Sequence, residues 1–262
     1  MARIFITGSA DGLGQLAASA LIAKGHRVTA HARNQKRARE TEAKLRGVEA
    51  VLVAELSSME ETKRLAADVN NMGNFDAIIH NAGVYQVPAS AVGAEGLPLV
   101  LAVNTIAPYL LTCLIHPPQR LVYLTSGMHL QGDGGLRGLE GKNKHRVSYS
   151  DSKLHDVVLA KAVARKWPNV LSNAVNPGWV PTRMGGAGAP DDLEAGYQTQ
   201  VWLAISDDRH ARVSGRCFFH QRETRCHQAA DDVAVQERFL ELCAQISGVR
   251  FPANSPDEKR GT

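Results

Sequence analysis

The sequence predicts a single α/β domain with a doubly wound, mainly parallel sheet of six to seven strands. Short apolar runs alternate along the chain with longer segments of helical periodicity, and parallel strands need such helical crossovers. Polar or glycine-rich residues follow several of these runs, which is typical of the strand ends where parallel sheets bind ligands. We see no linker, repeat or low-complexity break, so residues 1–250 form one predicted domain and 251–262 a C-terminal tail.

The composition limits the class of protein. Of 262 residues, 44% are hydrophobic and 21% charged, as in an average globular chain. The net charge of +4 fits an anionic ligand, but no basic run is interleaved with aromatic residues, so nucleic-acid binding is not expected. No apolar stretch is long enough for a membrane span and no signal peptide is evident, so we expect a cytoplasmic protein. The four cysteines are sparse and widely spaced, which favours reduced thiols over disulfides.

The first strand, helix and strand form the clearest local pattern. An apolar strand over 2–7 leads into 8–14, a loop with three glycines in the spacing GxxxGxG, and then into a helix that ends near Gly25. Glycines at such a turn let the backbone approach a pyrophosphate, and the N-terminus of the helix offers free N–H groups to the phosphates. A plain strand-to-helix turn also favours glycine, but the position after the first strand favours a Rossmann-type dinucleotide site.

The residues after the second strand bear on the choice of cofactor. NAD-binding sites place an acidic side chain here against the ribose 2′-hydroxyl, whereas an arginine accommodates the 2′-phosphate of NADP. No Asp or Glu follows this strand; Arg33 comes first, and Lys36, Arg37 and Arg39 follow. We assign Arg33 to the phosphate, interpret the other three as a solvated helix face, and expect NADP(H) rather than NAD(H).

The rest of the chain continues the alternation. Further strands are predicted over 50–54, 76–80, 121–124, 170–175 and 215–219. Further helices are predicted over 36–46, 59–72, 97–114, 149–166, 193–206 and 231–246. Asp191 and Asp192 are both N-cap candidates for the helix that starts at 193.

The motif Tyr149-Ser150-Asp151-Ser152-Lys153 carries candidate acid/base chemistry. Positions i and i+4 of a helix lie about 6 Å apart on one face, so the phenol of Tyr149 and the ammonium of Lys153 share one space. A free tyrosine has a pKa of about 10, and a nearby cation favours the phenolate. The pattern YxxxK also arises by chance, so a catalytic interpretation needs support from other residues. The polar or glycine-rich residues that follow the strands should gather at one edge of the sheet and would give that support. They are Gly8–Gly14, Arg33, Glu55 and Asn81.

In this order the motifs resemble the short-chain dehydrogenase/reductase family over about residues 1–250. The matching pieces are, in chain order, Thr7-Gly8-x-x-x-Gly12-x-Gly14, Asn81-Ala82-Gly83, Asn104, Ser126, Tyr149-x-x-x-Lys153 and Pro177-Gly178-x-x-x-Thr182. The segment around Asn104 and the long insert over 127–148 look most like the retinol-dehydrogenase-like branch. The resemblance implies an enzyme that transfers a hydride between NADP(H) and a carbonyl or alcohol.

The resemblance also implies a role for each matching residue. Tyr149 would exchange a proton with the substrate oxygen, Lys153 would favour the phenolate and bind the nicotinamide ribose, and Ser126 would hydrogen-bond the substrate oxygen. Asn104 would hold its helix open for a water that relays protons to Lys153. The residues implied to bind the cofactor are Gly8, Ser9, Gly12, Leu13, Gly14, Arg33, Glu55, Leu56, Asn81, Ala82, Gly83, Tyr149, Lys153, Pro177, Val180 and Thr182.

Three departures from the family pattern qualify these expectations. Asp11 stands where many NADP-preferring relatives carry a basic residue, which counts against NADP. Glu55 stands where aspartate is usual, so the adenine contact is expected to shift. The connection from Ser126 to Tyr149 is longer than in many relatives, and it either alters the geometry of that pair or supplies part of the substrate pocket.

Other functions stay open on the sequence alone. A non-catalytic NADP-binding regulator or redox sensor would share the fold, although such relatives typically lose the tyrosine or the lysine. Cys217, His220, Cys226 and His227 are close enough to suggest zinc, but their order is not that of a zinc motif, so no metal is expected. We expect a small apolar carbonyl or alcohol substrate and leave open its identity, the reaction direction, and whether the protein forms a homodimer or homotetramer.

Overall fold

The computed structural model describes residues 1–141 and 147–253. Its strands are β1 (Arg3–Ile6), β2 (Arg27–Ala32), β3 (Ala50–Val53), β4 (Ala77–His80), β5 (Arg120–Leu124), β6 (Leu171–Asn176), β7 (Cys217–Phe219) and β8 (Arg222–Thr224). They form one sheet in the order β3-β2-β1-β4-β5-β6-β7-β8. The first seven strands are parallel and β8 runs antiparallel to β7, so the predicted doubly wound, mainly parallel sheet is confirmed.

Helices alternate with the strands as predicted. Their bounds are α1 (Gly12–Ala23), α2 (Gln35–Lys44), α3 (Met59–Asn71), α4 (Leu99–Leu101), α5 (Ala107–Leu114), α6 (Tyr149–Lys166), α7 (Leu193–Ile205) and α8 (Val233–Ser247). Of the two N-cap candidates before α7, Asp192 is the cap, because its carboxylate accepts a hydrogen bond from the N–H of Ala195 at 2.7 Å. Asp191 instead accepts from the N–H of Trp179 at 2.6 Å.

Hydrophobic side chains cover both faces of the sheet. Every residue of β4 and β5 is buried, as expected for parallel strands that lie between two layers of helices. In β1, Phe5 joins one core cluster and its neighbours Ile4 and Ile6 join the other, because alternate strand residues point to opposite faces. Helices α3, α5, α6 and α8 build the first cluster and α1 and α7 the second.

The predicted helix over 97–114 is interrupted rather than continuous. Between α4 and α5, residues Ala102–Ile106 form one π-helical turn, with the wider hydrogen-bond spacing that such turns have. Asn104 lies in this turn and is buried. A widened turn around a polar residue is common at functional sites, which makes this segment relevant to the site below.

The last strand was not predicted from the sequence. β7 and β8 form a hairpin whose turn residues His220 and Gln221 both have positive φ, 47° and 61°. Such turns usually contain Asn or Gly, so His-Gln gives no sequence signal for them. The three residues of β8 are polar and exposed, and they show no hydrophobic alternation.

The predicted C-terminal tail begins with a residue that packs on the domain. Phe251, the first residue assigned to the tail, packs on Trp167 with a ring-centroid distance of 5.0 Å. The rest of the predicted tail, from 254 to 262, lies outside the described residues.

Among the helices in the described part of the chain, none has the length and hydrophobicity to span a membrane.

Candidate active site

The carboxyl ends of the central strands border a cleft of about 640 Å³. This volume lies in the range of natural ligand sites, and the position is the one expected for a doubly wound sheet. The predicted site residues that line the cleft come from both halves of the chain: Gly8, Gly12, Leu13, Arg33, Glu55, Leu56, Asn81, Ala82, Gly83, Tyr149, Lys153, Pro177 and Thr182. Folding therefore brings the glycine loop and the Tyr149–Lys153 motif to one cavity.

The glycine loop between β1 and α1 needs its glycines for two physical reasons. Gly8 and Gly12 have φ values of +64° and +54°, a backbone region that other residues rarely adopt. A Cβ on Gly14 would overlap the carbonyl oxygen of Gly8 and the side-chain amide of Asn81, so this residue lets the helix approach the strand. The N-cap residue Asp11 makes no capping hydrogen bond, so its side chain leaves the first N–H groups of α1 uncapped.

Hydrogen bonds from neighbouring strands hold the loop in place. The Asn81 amide donates to the carbonyl oxygens of Thr7 and Gly8 at 2.9 and 3.0 Å, so this side chain braces the loop while lining the cleft. His31, which the sequence analysis did not assign, accepts from the N–H of Gly8 at 3.0 Å. Burial lowers the pKa of His31, which keeps the ring neutral and able to accept this bond.

Ser9 does not face the cleft. The residue is fully buried, its hydroxyl donates to the carbonyl oxygen of Ile6 at 3.0 Å, and the N–H of His31 donates to that hydroxyl at 2.8 Å. The side chain thus ties the loop to β1 and β2. Its predicted contact with a cofactor has no support in this geometry.

The arginines after β2 do not behave as the sequence suggested. Arg37 was interpreted as part of a solvated helix face, but its guanidinium pairs with Asp11 at 2.7 Å and with Glu40 at 2.9 Å. It also donates to the carbonyl oxygen of Ala10 at 3.2 Å and lines the cleft. That interpretation was wrong for Arg37, because α2 starts beside the glycine loop and the long side chain reaches back across it. Arg33 is exposed, also lines the cleft, and has no ion pair within residues 1–141 and 147–253.

Tyr149 is the first residue of α6, where a capping box fixes the start of the helix. Ser148 accepts a hydrogen bond from the N–H of Asp151 at 3.1 Å, and the Asp151 carboxylate accepts from the N–H of Ser148 at 2.8 Å. One helical turn further on, the ammonium of Lys153 lies 5.8 Å from the centre of the Tyr149 ring. The predicted i,i+4 juxtaposition of phenol and ammonium is therefore present.

Lys153 is buried and its ammonium is held by two acceptors. It donates to the carbonyl oxygen of Leu124 at 2.7 Å and to the carboxylate of Asp156 at 2.8 Å. Burial lowers the pKa of Lys153, but the charges of Asp156 and Tyr149 more than offset this and raise the pKa above its ordinary value. Burial raises the pKa of Asp156 to about 6, with Lys153 acting in the opposite direction. Lys153 therefore stays a cation at neutral pH, and its charge favours the ionised form of Asp156.

Asn104 and Ser126, the two other predicted catalytic residues, approach the same region from different elements. The Asn104 amide donates to the hydroxyl of Ser152 and to the carbonyl oxygen of Val84, both at 3.0 Å, and so joins the π turn to α6 and to the loop after β4. Ser126 follows Thr125, whose hydroxyl donates to the carbonyl oxygen of Lys153 at 2.7 Å. Asn104 is thus tied to the Tyr149 helix, whereas the Ser126 hydroxyl accepts from the N–H of Met128 at 3.3 Å, and neither residue borders the main cleft.

An aromatic side chain packs on Tyr149, and further apolar side chains line the cleft. The ring of Tyr85 packs on the ring of Tyr149 with a centroid distance of 4.5 Å, a contact the sequence analysis missed. Met184, from the loop after β6, also lines the cleft and is 46% exposed. In the same loop Thr182 lies against Gly12, whereas Val180 is buried beneath it.

The long insert before Tyr149 packs against the protein where it is described. It contains two 3₁₀ helices, Gly127–Gln131 and Arg137–Leu139, and residues 142–146 lie outside the described part. Gly132 lies so close to α6 that a Cβ would come within 2.7 Å of Leu154. The described part of the insert is therefore a fixed covering over the start of α6.

The expectation of four reduced cysteines was wrong for one pair. Cys217 and Cys226 form a disulfide, while Cys113 and Cys243 are free and buried. The hairpin of β7 and β8, which the sequence did not reveal, reverses the chain and brings the two residues together. This bond also uses both sulfurs of the zinc alternative, so that alternative has no thiolate ligands left.

Comparison with known proteins gives the family. A family model described as short chain dehydrogenase matches residues 2–192. An uncharacterized oxidoreductase of Emericella nidulans is 45% identical over 257 residues, which is 96% of this chain and 99% of that protein. Retinol dehydrogenase 14 of Mus musculus is 27% identical over 94% of this chain and 86% of its own length.

Solved structures share the fold. An uncharacterized protein from Mycobacterium paratuberculosis superposes with a TM-score of 0.81 at 22% identity, covering 96% of this chain and 95% of that one. A short chain dehydrogenase from Shigella flexneri, complexed with NADP, gives a TM-score of 0.64 at 23% identity, with coverages of 84% and 97%. Together with the family model and the oxidoreductase relative, the glycine loop and the Tyr149–Lys153 pair lead to one conclusion: the chain belongs to the short-chain dehydrogenase family of oxidoreductases and has retinol-dehydrogenase-like relatives.

Proposed function

We propose that this protein is an NADP(H)-dependent oxidoreductase that interconverts an apolar carbonyl and its alcohol, with Tyr149 as general acid/base. The observation that carries the proposal is the position of Tyr149 and the buried cation of Lys153 in the wall of the cleft that also contains the glycine loop. A phenol, a fixed cation and a phosphate-binding loop in one cavity match the needs of hydride transfer coupled to proton transfer.

The residues of the cleft fit a nicotinamide dinucleotide. Gly8 and Gly12 give the tight turn, and Gly14 allows the close approach of α1 to the strand. The first N–H groups of α1 have no side-chain cap and are available to a pyrophosphate. Arg33 and Arg37 border the same cleft beyond β2, where the adenosine ribose is expected. When bound, the nicotinamide supplies the hydride for reduction or accepts it in oxidation.

The chain's own residues handle the proton and the charge. In reduction, Tyr149 donates its phenolic proton to the substrate oxygen, and in oxidation its phenolate takes the proton from the alcohol. The ammonium of Lys153 favours the phenolate electrostatically. We expect Ser126, which directly follows Thr125 in the cleft wall, to hydrogen-bond the substrate oxygen as negative charge develops there. Asn104 keeps the π turn and α6 together through its bonds to Val84 and Ser152.

Two features support NADP over NAD. Arg33 is exposed at the cleft without a carboxylate partner in the described residues, so its guanidinium is available to a 2′-phosphate. Asp11, which counted against NADP in the sequence, is paired with Arg37, so its charge is partly neutralised. The NADP complex of the Shigella flexneri relative is in keeping with this preference.

An apolar substrate agrees with the side chains around Tyr149. Tyr85 packs on Tyr149, and Val87, Leu99 and Met184 border the same cleft and offer few hydrogen-bonding groups. A substrate with one reacting oxygen and an apolar body would place that oxygen against Tyr149 and bury the remainder among these side chains. The Mus musculus relative is named as a retinol dehydrogenase, and retinol has this chemical character.

An activity screen tests the proposal. Purified protein is assayed with NADPH and NADH against apolar aldehydes, ketones and quinones, and the best substrate is then used with the variant Tyr149→Phe. We expect kcat to fall by roughly 10²–10⁴, the usual contribution of a general acid/base. Tyr197→Phe is a matched control, because Tyr197 packs in the core on the α1–α7 side and should leave kcat unchanged. Wild-type activity in Tyr149→Phe would contradict the proposed mechanism.

A further inference from the structure

Asp156 is the one charged partner of Lys153 that the mechanism above does not use. It lies three residues after Lys153 on α6, and the two side chains are only 5% and 6% exposed. Its carboxylate accepts from the ammonium at 2.8 Å, while the carbonyl oxygen of Leu124 accepts from the same ammonium at 2.7 Å. The cation is therefore fixed between two acceptors from two elements, with the Tyr149 ring centre 5.8 Å away.

We propose that Asp156 is a positioning residue that acts through Lys153: it fixes the ammonium beside Tyr149 and balances its charge, and so sets the pH range in which Tyr149 exchanges its proton. The inference rests on the proposed role of Tyr149 and adds a residue to it. Buried ion pairs are seldom a source of stability, because desolvation of both charges offsets their attraction. A pair retained next to a reacting phenol is better explained by its effect on that phenol.

The surroundings of Asp156 contain no competing charge in the described residues. Asp156 and His80 line a small cavity of about 10 Å³, together with uncharged side chains from the loops after β1, β3 and β4, from the π turn and from α5. Burial lowers the pKa of His80 to about 3, so its ring is neutral. Burial also raises the pKa of Tyr123, which feels the charge of Asp156 from β5 and stays a neutral phenol. Within residues 1–141 and 147–253, Lys153 is thus the one cation that pairs with this carboxylate.

Removal of the charge on Asp156 should favour the phenolate of Tyr149. At low local dielectric, the negative charge of Asp156 cancels part of the positive field that Lys153 exerts on Tyr149. Replacing Asp156 by the isosteric, neutral Asn leaves the ammonium unbalanced, and its full field then favours the phenolate. The same change removes a contribution that raises the pKa of Lys153, so the lysine also loses its proton at lower pH. Both limbs of the pH profile therefore move to lower pH.

The experiment compares Asp156→Asn with wild type in two readouts. The first is the pH profile of kcat for alcohol oxidation, where we expect the rising limb to move down by about one pH unit. The second does not need activity: ultraviolet difference absorbance follows phenolate formation, with the matching Tyr149→Phe protein subtracted from each sample. The two variants Tyr149→Phe and Asp156→Asn/Tyr149→Phe serve for this subtraction, and the same downward shift is expected.

Two further variants make the comparison specific. Asp231→Asn removes a carboxylate that pairs with Lys161, about two turns further along the same helix, with the Asp231 side chain 67% exposed, and it should leave both readouts unchanged. Asp156→Glu keeps the charge and should retain the wild-type pH range even where kcat falls. Circular dichroism checks folding, and Asp156→Ser replaces Asp156→Asn if the latter does not fold.

The outcomes separate this inference from the proposed function. Normal activity with coincident pH profiles and phenolate titrations for wild type and Asp156→Asn would overturn the role of Asp156 and leave the function of Tyr149 intact. A downward shift in the phenolate titration supports the role of Asp156 even if no substrate in the screen reacts. Full activity of Tyr149→Phe would overturn the proposed function whatever Asp156 does.

Discussion

Two ion pairs each contribute a side chain to the wall of the cleft, and they differ in their contact with water. Lys153 and Asp156, beside Tyr149, are 6% and 5% exposed, whereas Arg37 and Asp11, beside the glycine loop, are 22% and 52% exposed. A buried pair must stay together, because removing one charge leaves the other desolvated, but an exposed pair can be exchanged for water at little cost. We infer that the buried pair serves the proton-transfer chemistry, where geometry must not vary, and the exposed pair adjusts cofactor recognition.

Loss of the two cations should have effects of very different size. We expect Lys153→Met to lower kcat by about a thousandfold, because Tyr149 loses the cation that favours its phenolate. Arg37→Met should lower kcat/KM with NADPH by about tenfold or less and leave kcat close to wild type, because its bonds to Asp11 and Glu40 lie away from the reacting centre. Steady-state kinetics on the same substrate makes the comparison. Equal losses in kcat would contradict the division of roles between the two pairs.

Removal of the carboxylate should lower the stability of the protein more in the buried pair than in the exposed pair. Asp156→Ala leaves Lys153 buried without a counter-charge and should lower the free energy of unfolding by about 3 kcal/mol. Asp11→Ala breaks an exposed pair and should cost less than about 1 kcal/mol. Urea denaturation of both variants and the wild type measures the difference. A small loss for Asp156→Ala would mean that water reaches Lys153 in the folded protein.

The buried pair also marks the limit of prediction from sequence. The glycine loop, the succession of the first seven strands along the chain and the Tyr149–Lys153 juxtaposition follow from local spacing and alternation, which the sequence carries directly. Asp156 is at i+3 from Lys153, but the same spacing occurs in many exposed helical pairs. The proposed role of Asp156 depends on its burial by β4, β5 and the π turn, which are distant from it in the chain. A tertiary environment of this kind leaves no local signal.

Other differences between the predicted and the observed structure have equally specific causes. Arg37 follows a helical pattern that suits a solvated face, and only the approach of α2 to the glycine loop turns its side chain toward Asp11. The hairpin of β7 and β8 turns on His220 and Gln221, residues that rarely mark such turns, so neither the eighth strand nor the Cys217–Cys226 disulfide was expected. In each case a contact between separate elements, rather than a local propensity, decides the structure.

Cofactor preference should change without a large loss of kcat, and it tests the arginines beside the glycine loop most directly. Arg33 borders the cleft and is free to bind a 2′-phosphate, while an aspartate at this position would instead accept a hydrogen bond from the ribose 2′-hydroxyl. We therefore expect Arg33→Asp to lower the ratio of kcat/KM for NADPH to that for NADH by roughly tenfold or more, mainly through KM. Lys36→Asp is the matched control, because it makes the same change of charge on an exposed residue of α2 that does not border the cleft. A tenfold change in Lys36→Asp as well would mean that the net charge of this region, and not a contact from Arg33, selects the cofactor. An unchanged ratio in Arg33→Asp would show that the phosphate is bound elsewhere, and Arg37, released from Asp11, would then be the residue to test.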